Sequence, residues 1–219
     1  EAFFFHDDTL TSDKAWVIEF CNLLKKENLE ILWSCNTRVD TIDEDLMKEM
    51  YSAGLRGLHI GVESGSQRIL NEIYKKGINL NKVKEVVGLA KKIGIHALCF
   101  FMIGAPSETE EEINKTIKFA VSLKCDEATF SITSPLPCTG LYDIVKTGGY
   151  ELSNNFCDFD YYSKRAFQDP NLPYEKLRYY QKKALLMFYL HPYRWSYILK
   201  HLTSIKGWKK MFIKMGRFM

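Results

Sequence analysis

The chain has 219 residues, with 30 Lys and Arg against 27 Asp and Glu, and 46% of its positions are hydrophobic. That composition suits a globular core in one domain, with room for an appendage. No apolar run is long enough for a transmembrane helix, and the apolar start lacks the basic flank and cleavage site of a signal peptide. The six cysteines (Cys21, Cys35, Cys99, Cys125, Cys138, Cys157) are scattered, with none within four residues of another. No zinc-ribbon, CxxC or cluster-binding spacing exists, so reduced thiols used as core filler are expected.

The elements alternate along the chain. "AFFFH" (2–6) reads as an apolar strand. Val17, Phe20, Cys21 and Leu24 fall at i, i+3, i+4 and i+7, which predicts a helix with one buried face. Ile31 to Cys35 is the next strand, and Thr41-x-x-Glu44 reads as a capping box opening a helix that Gly54 closes. "GLHIGV" (57–62) is a third strand, followed by a short helix near 66–74. Val83, Val86, Val87 and Ala90 repeat the helical stripe, ended by Gly94. "IHALCFFMIG" (95–104) is a long strand, Ser107-x-x-Glu110 reads as the cap of a helix through Ile113, Ile117 and Ala120, and "EATFSIT" (127–133) is the fifth strand. The run "SPLPCTG" is a proline-rich turn. Residues 151–174 are polar and loop-like, and two or three helices are expected from Tyr174 onward. The domain boundary is placed at 150, giving 1–150 and 151–219.

Five strands each followed by a helix predict an α/β fold with a parallel sheet and right-handed crossovers. The spacing suits a β/α barrel, but about 150 residues are too few for a closed eight-stranded one. The expected fold is therefore a partial barrel of about five parallel strands, followed by a small helical C-terminal region. Neither GxGxxG nor GxxxxGK[ST] occurs, which argues against dinucleotide and P-loop sites.

In such folds chemistry collects at the C-terminal ends of the strands. Those ends carry His6-Asp7-Asp8, Asn36 and Arg38, Glu63-Ser64-Gly65, Gly104-Ala105-Pro106, and Pro135 with Pro137. Carboxylates there suit an ammonium group and hydroxyls, and an arginine suits a carboxylate. Each has a plainer reading: Asp7 and Asp8 as helix caps, Arg38 as a surface partner of Asp40, Gly104 and Pro106 as a turn. Five such features at corresponding strand ends favour a site. An ordinary β/α-barrel enzyme using Asp7, Asp8 and Glu63 as metal ligands or acid/base groups is a rival.

The stretches "FFFHDDTLT", "ILWSCNTRVD", "AGLRGLHIGVESGSQRILNEIYKKG", "GIHALCFFMIGAPSETEEEINKTIKFA" and "SPLPCTGLY" resemble successive strand motifs of the radical S-adenosylmethionine (SAM) enzymes. Within that superfamily they are most similar to the subgroup carrying a cobalamin-binding domain, which includes anaerobic magnesium-protoporphyrin ester cyclases and carbon methylases. The resemblance runs from residue 1 to about 145, and "FYLHPYRW" is similar to that subgroup's helical tail. It implies that Asp7 and Asp8 meet the methionine amino group of S-adenosylmethionine. Glu63, beside Ser64, would hold the ribose hydroxyls; Arg38 and Lys75 or Lys76 would meet the methionine carboxylate; Ile103, Gly104 and Ala105 would present backbone to the adenine. Cys138 stands where the family's turn has glycine, which puts that loop's conformation in question.

The family's chemistry uses a CxxxCxxC loop whose thiolates bind a 4Fe–4S cluster, on which S-adenosylmethionine is cleaved to a 5′-deoxyadenosyl radical. No such motif is present, so no metal ligand is assigned in this chain and the cluster ligands are expected upstream. The chain, which starts in a strand without an initiator methionine, reads as the C-terminal part of a longer protein. It is expected to be inactive alone. The reaction implied is carbon methylation or oxidative cyclisation, with cobalamin as a further cofactor and a flavodoxin or ferredoxin as electron donor. The rivals are a catalytically inactive half-barrel binding module and an enzyme like the tRNA methylthiotransferases.

After Glu175 no acidic residue occurs, while eleven basic ones do, leaving the rest of the chain net acidic. With its aromatics, 176–219 reads first as a helical cap and second as a membrane-surface or lipid-facing lid, suited to a lipid or tetrapyrrole substrate. Nucleic acid is disfavoured, since no recognition fold is evident. The expected location is the cytoplasm, peripheral to the membrane if the lid reading holds.

Overall fold

Apolar side chains at alternate positions build strands β1 (Ala2–Phe5), β2 (Leu32–Thr37), β3 (Leu55–Glu63), β4 (His96–Ile103) and β5 (Glu127–Ile132) in the computed structural model, which describes residues 2–159 and 166–194. They form one five-stranded parallel sheet in the order β1-β2-β3-β4-β5. Every strand lies beside its sequence neighbour, so each crossover is a single helix packed back on the sheet. The crossovers are α1 (Lys14–Lys26), α2 (Glu44–Ser52), α3 (Leu80–Ile93) and α4 (Glu110–Ser122), and β5 leads to α5 (Gly140–Thr147).

Packing divides the chain into two compact units: Glu1–Glu63 with Gly77–Phe101 and Ser122–Thr129, and Ser64–Lys76 with Met102–Val121 and Phe130–Met219. In the first unit, the buried face of the sheet presents Trp33, Cys35, Leu58, Ile60, Val62, Ala97 and Cys99. The helices supply Val17, Cys21 and Leu24, then Leu46, Met47 and Met50, then Val83, Val86, Val87 and Ala90. Trp33 packs edge-on against Phe5 and Phe20, and its indole N–H donates to the Ala53 carbonyl at 2.8 Å. The alternate residues Ser34, Asn36, His59, Leu98 and Phe100 stay half-buried on the other face, and a register shift between Gly61 and Glu63 interrupts the alternation at the end of β3.

The helix starts differ in detail from the sequence reading. α1 is capped by Asp13, whose carboxylate accepts from the Trp16 N–H, and Asp7 bonds instead to the Thr9 N–H at 2.9 Å. α2 is capped by Asp43, accepting from the Leu46 N–H at 2.8 Å, and not by Thr41. Thr41 lies two residues too early, where its hydroxyl bonds to Thr11 and the Arg38 carbonyl. Gly54 does close α2, at φ +99. A Cβ there would stand 2.1 Å from the Ile31 carbonyl oxygen, so backbone crowding and a left-handed conformation both demand glycine.

In the second unit, the segment after β3 forms a π-helical turn, Ile69–Ile73, in place of an ordinary short helix. The capping box of α4 is Thr109-x-x-Glu112, not Ser107-x-x-Glu110. The Thr109 hydroxyl accepts from the Glu112 N–H and the Glu112 carboxylate accepts from the Thr109 N–H at 3.0 Å. Ser107 instead sits at φ 60 in the turn before it. Cys138 adopts φ 65, the left-handed conformation that a glycine at that place would take without strain. Thr139 then caps α5 through the Tyr142 N–H, a helix hidden in sequence behind "SPLPCTG". The 151–174 region holds a two-stranded antiparallel ribbon, β6 (Glu151–Leu152) with β7 (Phe167–Gln168). Two-residue strands are too short to show alternation.

The last described helix is α6 (Tyr174–Tyr189), followed by a 3-10 turn at Pro192–Arg194; the further helices expected beyond it, and the membrane-surface reading of 195–219, lie outside the described residues. α6 is fixed by polar contacts within its unit. Lys176 and Tyr180 both donate to Glu110, Gln181 donates to the Phe130 carbonyl at 2.6 Å, and Lys183 to Asn114 at 2.8 Å. The Arg194 guanidinium lies 3.5 Å from the centre of the Phe188 ring. Among the described residues, no helix is long and apolar enough to cross a membrane.

Gly54→Ala is expected to lower unfolding stability by more than about 2 kcal/mol, because strain and a backbone clash add. Urea denaturation checks this; a change under about 0.5 kcal/mol would contradict the Ile31 contact.

Candidate functional site

The first unit gathers four of the expected groups at the ends of adjacent strands. β1 runs out into Asp7 and Asp8, both exposed. The Asn36 side chain donates to the Asp7 carbonyl at 2.9 Å, tying the ends of β1 and β2 together. The Cys35 thiol just behind is pushed up to about 12, first by burial and then by the Asp7 charge. It is a core group and not a nucleophile. Arg38 grips Asp40 in two bonds, at 2.9 and 2.6 Å, so the surface pairing is present. Its pKa is raised, chiefly by Asp40, with a smaller contribution from the Glu63 charge. Glu63, half-buried at the end of β3, takes φ 68. A non-glycine residue in this region is held there by its surroundings.

The turn directly after Glu63 is heavily tethered. In the second unit, Ser64 is fully buried, its hydroxyl 3.1 Å from that of Thr116 and accepting from the Ser66 N–H at 3.0 Å. Thr116 also accepts from the Gly65 N–H at 2.9 Å. Gly65 lies so close to α4 that a Cβ would meet Thr116 Cα at 2.7 Å and Lys115 O at 2.9 Å. Next, Ser66 donates to Glu112 at 2.9 Å, and Arg68 donates to both Glu112 oxygens at 2.8 and 2.6 Å. Chiefly because of Arg68, the Glu112 carboxyl is held down at about 2. The turn "ESGSQR" is therefore bolted to α4 through one carboxylate and one threonine.

The turn after β4 is closed by a residue that sequence reasoning passes over. Glu108 is buried, and one of its oxygens accepts from the N–H groups of Gly104 at 2.6 Å and Ala105 at 3.0 Å. The Ile103 carbonyl accepts from the Thr133 N–H at 2.9 Å. The donors of this turn are thus engaged within the protein. Gly104 takes φ 81, and a Cβ there would meet Leu177 at 2.7 Å. Burial pushes the Glu108 carboxyl up to about 7, against the opposing pull of the two backbone bonds. The signal available in sequence is a carboxylate four residues after Gly104, which looks there like an ordinary helix-start acid. Lys75 is exposed at φ 47 and Lys76 half-buried.

Chemically, carboxylates at the ends of β1 and β3 with a guanidinium after β2 suit a ligand bearing an ammonium, hydroxyls and a carboxylate. Among the described residues, no group of three His, Cys, Asp or Glu is placed to hold a metal ion. These features define an α/β protein whose charged groups lie at the carboxyl ends of a parallel sheet. Residues 1–120 match the family model of the Radical SAM superfamily, and the chain belongs to that superfamily.

An uncharacterized methyltransferase of Pyrococcus horikoshii is 38% identical over 86% of this chain and 40% of its own length. The anaerobic magnesium-protoporphyrin IX monomethyl ester cyclase of Cereibacter sphaeroides is 28% identical over 98% of this chain and 36% of its own. The chain thus spans about two fifths of these relatives. Among solved structures, the coproporphyrinogen III oxidase HemN of Escherichia coli superposes with a TM-score of 0.62 at 17% identity, covering 84% of this chain and 39% of that one. The radical SAM methyltransferase TsrM of Kitasatospora setae gives 0.59 at 18% identity, covering 67% and 28%. These likenesses show the fold.

The two buried glutamates titrate with opposite signs. Glu112 is depressed on folding, so its stabilisation is complete above the ordinary carboxyl range and is lost as pH falls from about 4.5 toward about 2. Glu108 is raised, so its contribution is complete below about 4.5 and is lost as pH rises to about 7. Glu108→Gln is expected to remove a decline on the order of 3 kcal/mol between those pH values. Denaturant melts from pH 4 to 8 check it; an unchanged slope would contradict the buried carboxyl.

Proposed function

We propose that this chain is the C-terminal part of a radical SAM enzyme, cobalamin-dependent, that methylates an unactivated carbon or carries out an oxidative cyclisation. The observation that carries the reading is acid at the ends of β1 and β3, flanking Asn36 and Arg38 in one unit, within the span matched by the family. The methyltransferase and cyclase names of the relatives support the reaction class, and the cobalamin bound by TsrM supports that cofactor.

The residues present fit the organic part of S-adenosylmethionine. Asp7 and Asp8 are exposed carboxylates for its ammonium. Glu63, at the end of β3, would accept from the ribose hydroxyls. Arg38, a permanent cation, would with Lys75 or Lys76 meet the methionine carboxylate. Ile103, Gly104 and Ala105 would pack backbone against the adenine, their turn stiffened by Glu108. When bound to a reduced 4Fe–4S cluster, S-adenosylmethionine supplies a hydrogen-abstracting radical. This chain's part is to bind and orient the cofactor and the substrate.

The residues do not fit the cluster itself. Cys21, Cys35, Cys99 and Cys125 are buried, and no three cysteines have ligand spacing. The cluster ligands belong to sequence beyond this chain, in keeping with its share of the relatives' length.

Two outcomes test the reading. Glu63→Gln in the native protein should weaken S-adenosylmethionine binding roughly ten- to a hundredfold, the usual cost of losing charged hydrogen bonds, with the melting curve unchanged. The 219-residue chain alone, reconstituted anaerobically with iron and sulfide, should retain no 4Fe–4S cluster and release no 5′-deoxyadenosine. Unchanged affinity in the first case, or a stable cluster in the second, would contradict the assignment.

A further inference from the structure

Thr41, which does not cap α2, belongs instead to a cluster of three hydroxyls in the first unit. Thr11 Oγ1 lies 2.6 Å from Thr37 Oγ1 and 2.6 Å from Thr41 Oγ1. Thr37 and Thr41 each stand within donating distance of the Arg38 carbonyl, at 3.2 and 3.1 Å. Thr11 and Thr37 are buried and Thr41 half-buried, and the apolar residues between and beside them, Leu10, Val39 and Ile42, are buried as well.

Proton counting shows how the cluster is wired. Each hydroxyl has one proton, and a carbonyl only accepts. Four oxygen contacts share three hydroxyl protons. If both Thr37 and Thr41 donated to Arg38, Thr11 could serve one of its two short contacts and the other would set lone pairs face to face. If both donated to Thr11, its own proton would lack an acceptor within the cluster. One flanking threonine therefore donates to Thr11, Thr11 donates to the other, and that one donates to the Arg38 carbonyl. The Thr41 N–H adds a bond to the same carbonyl at 3.3 Å. The hydroxyls form a directed chain ending on Arg38, in which each bond polarises the next.

Hydroxyls are a costly way to fill this space. Valine has nearly the shape of threonine, and burying a hydroxyl is unfavourable unless it is bonded. What the chain supplies is a link between segments distant in sequence. Thr11 lies in the 3-10 turn Leu10–Ser12 that follows β1, Thr37 ends β2, and Thr41 closes the turn after it. Asn36 holds the Asp7 carbonyl, and the chain from Thr11 holds the segment after Asp8. Arg38 lies between Thr37 and Thr41, so its backbone is the other terminus of the link.

The two segments carry opposite charges. An α-amino acid presents its ammonium and its carboxylate on one carbon, so the groups that read both must keep a set spacing, to about 0.5 Å. The Arg38 guanidinium is itself fixed by two bonds to Asp40 in the same turn. A shift of that turn's backbone therefore carries the guanidinium with it.

Resting on the radical SAM reading above, we propose that Thr11, Thr37 and Thr41 are positioning residues for the amino-acid end of S-adenosylmethionine. Their hydroxyl chain fixes the distance between the Asp7 and Asp8 carboxylates and the Arg38 guanidinium. A spacing matters only while both ends grip the ligand, so the effect of the chain disappears once the Arg38 side chain is removed.

Equilibrium dialysis of the native protein against S-adenosylmethionine tests this. Thr11→Val is expected to weaken binding roughly fivefold, the order of one buried hydrogen bond, while Thr11→Ser, which restores the hydroxyl, stays within about twofold of the unsubstituted protein. The double variant Thr11→Val with Arg38→Gln should match Arg38→Gln alone to within about twofold. Thr41→Val breaks the chain at its half-buried member and should match Thr11→Val, which decides the question should Thr11→Val not fold. Losses that add in the double variant would mark a general structural effect and refute the positioning role. Unchanged affinity in both valine variants would refute it too, and a serine variant as weak as the valine one would assign the loss to packing. Each of these leaves the radical SAM reading standing. An unsubstituted protein that binds no S-adenosylmethionine would overturn that reading and the positioning role with it.

Discussion

The turn that opens the second unit depends on one buried carboxylate, Glu112. It accepts from Arg68, Ser66 and Thr109 at once, so a single side chain caps α4 and anchors the turn that leaves β3. A charge so placed is stable only while all its partners are present. Together with the bonds that the Gly65 and Ser66 N–H groups donate to Thr116 and Ser64, this carboxylate fixes the path of the backbone from Ser64 to Arg68. Glu63, the residue before this turn, takes a left-handed backbone of its own at φ 68.

The same economy recurs after β4. Glu108 satisfies two backbone donors of the Gly104–Ala105 turn and, unlike Glu112, accepts no bond from an arginine, the Arg68 charge being the smallest influence on it. Two carboxylates four residues apart are therefore pushed in opposite directions, one by an arginine and one by desolvation. Both stiffen turns at strand ends, where loops would otherwise be the most mobile parts of the fold. Rigid turns of this kind are what a cofactor site needs from its scaffold.

Much of this is legible in sequence, and the parts that are not have identifiable causes. The strands declare themselves as short apolar runs between turn and helix signals, as in "LCFFMI" and "LHIGV". Asp7, Asp8 and Glu63 stand out because a carboxylate that ends an apolar strand needs a reason. The cap of α4 is ambiguous because "SETEEE" offers two overlapping S/T-x-x-E frames, and only the packing of α4 chooses Thr109. Glu108 and Glu112 look like members of a run of surface acids until the fold turns them inward. The helix α5 hides behind two prolines. The contacts of His59 with Phe4 and Phe100 are invisible for a different reason: the three are far apart in sequence and are brought together only by strand register.

The central claim is that the strand ends of this chain hold the organic part of S-adenosylmethionine. A crystal structure of the native protein with S-adenosylmethionine bound tests it most directly. The account predicts the ribose hydroxyls on Glu63, the ammonium beside Asp7 and Asp8, and the adenine against Gly104 and Ala105. A cofactor bound elsewhere, with Glu63 in solvent, would contradict it.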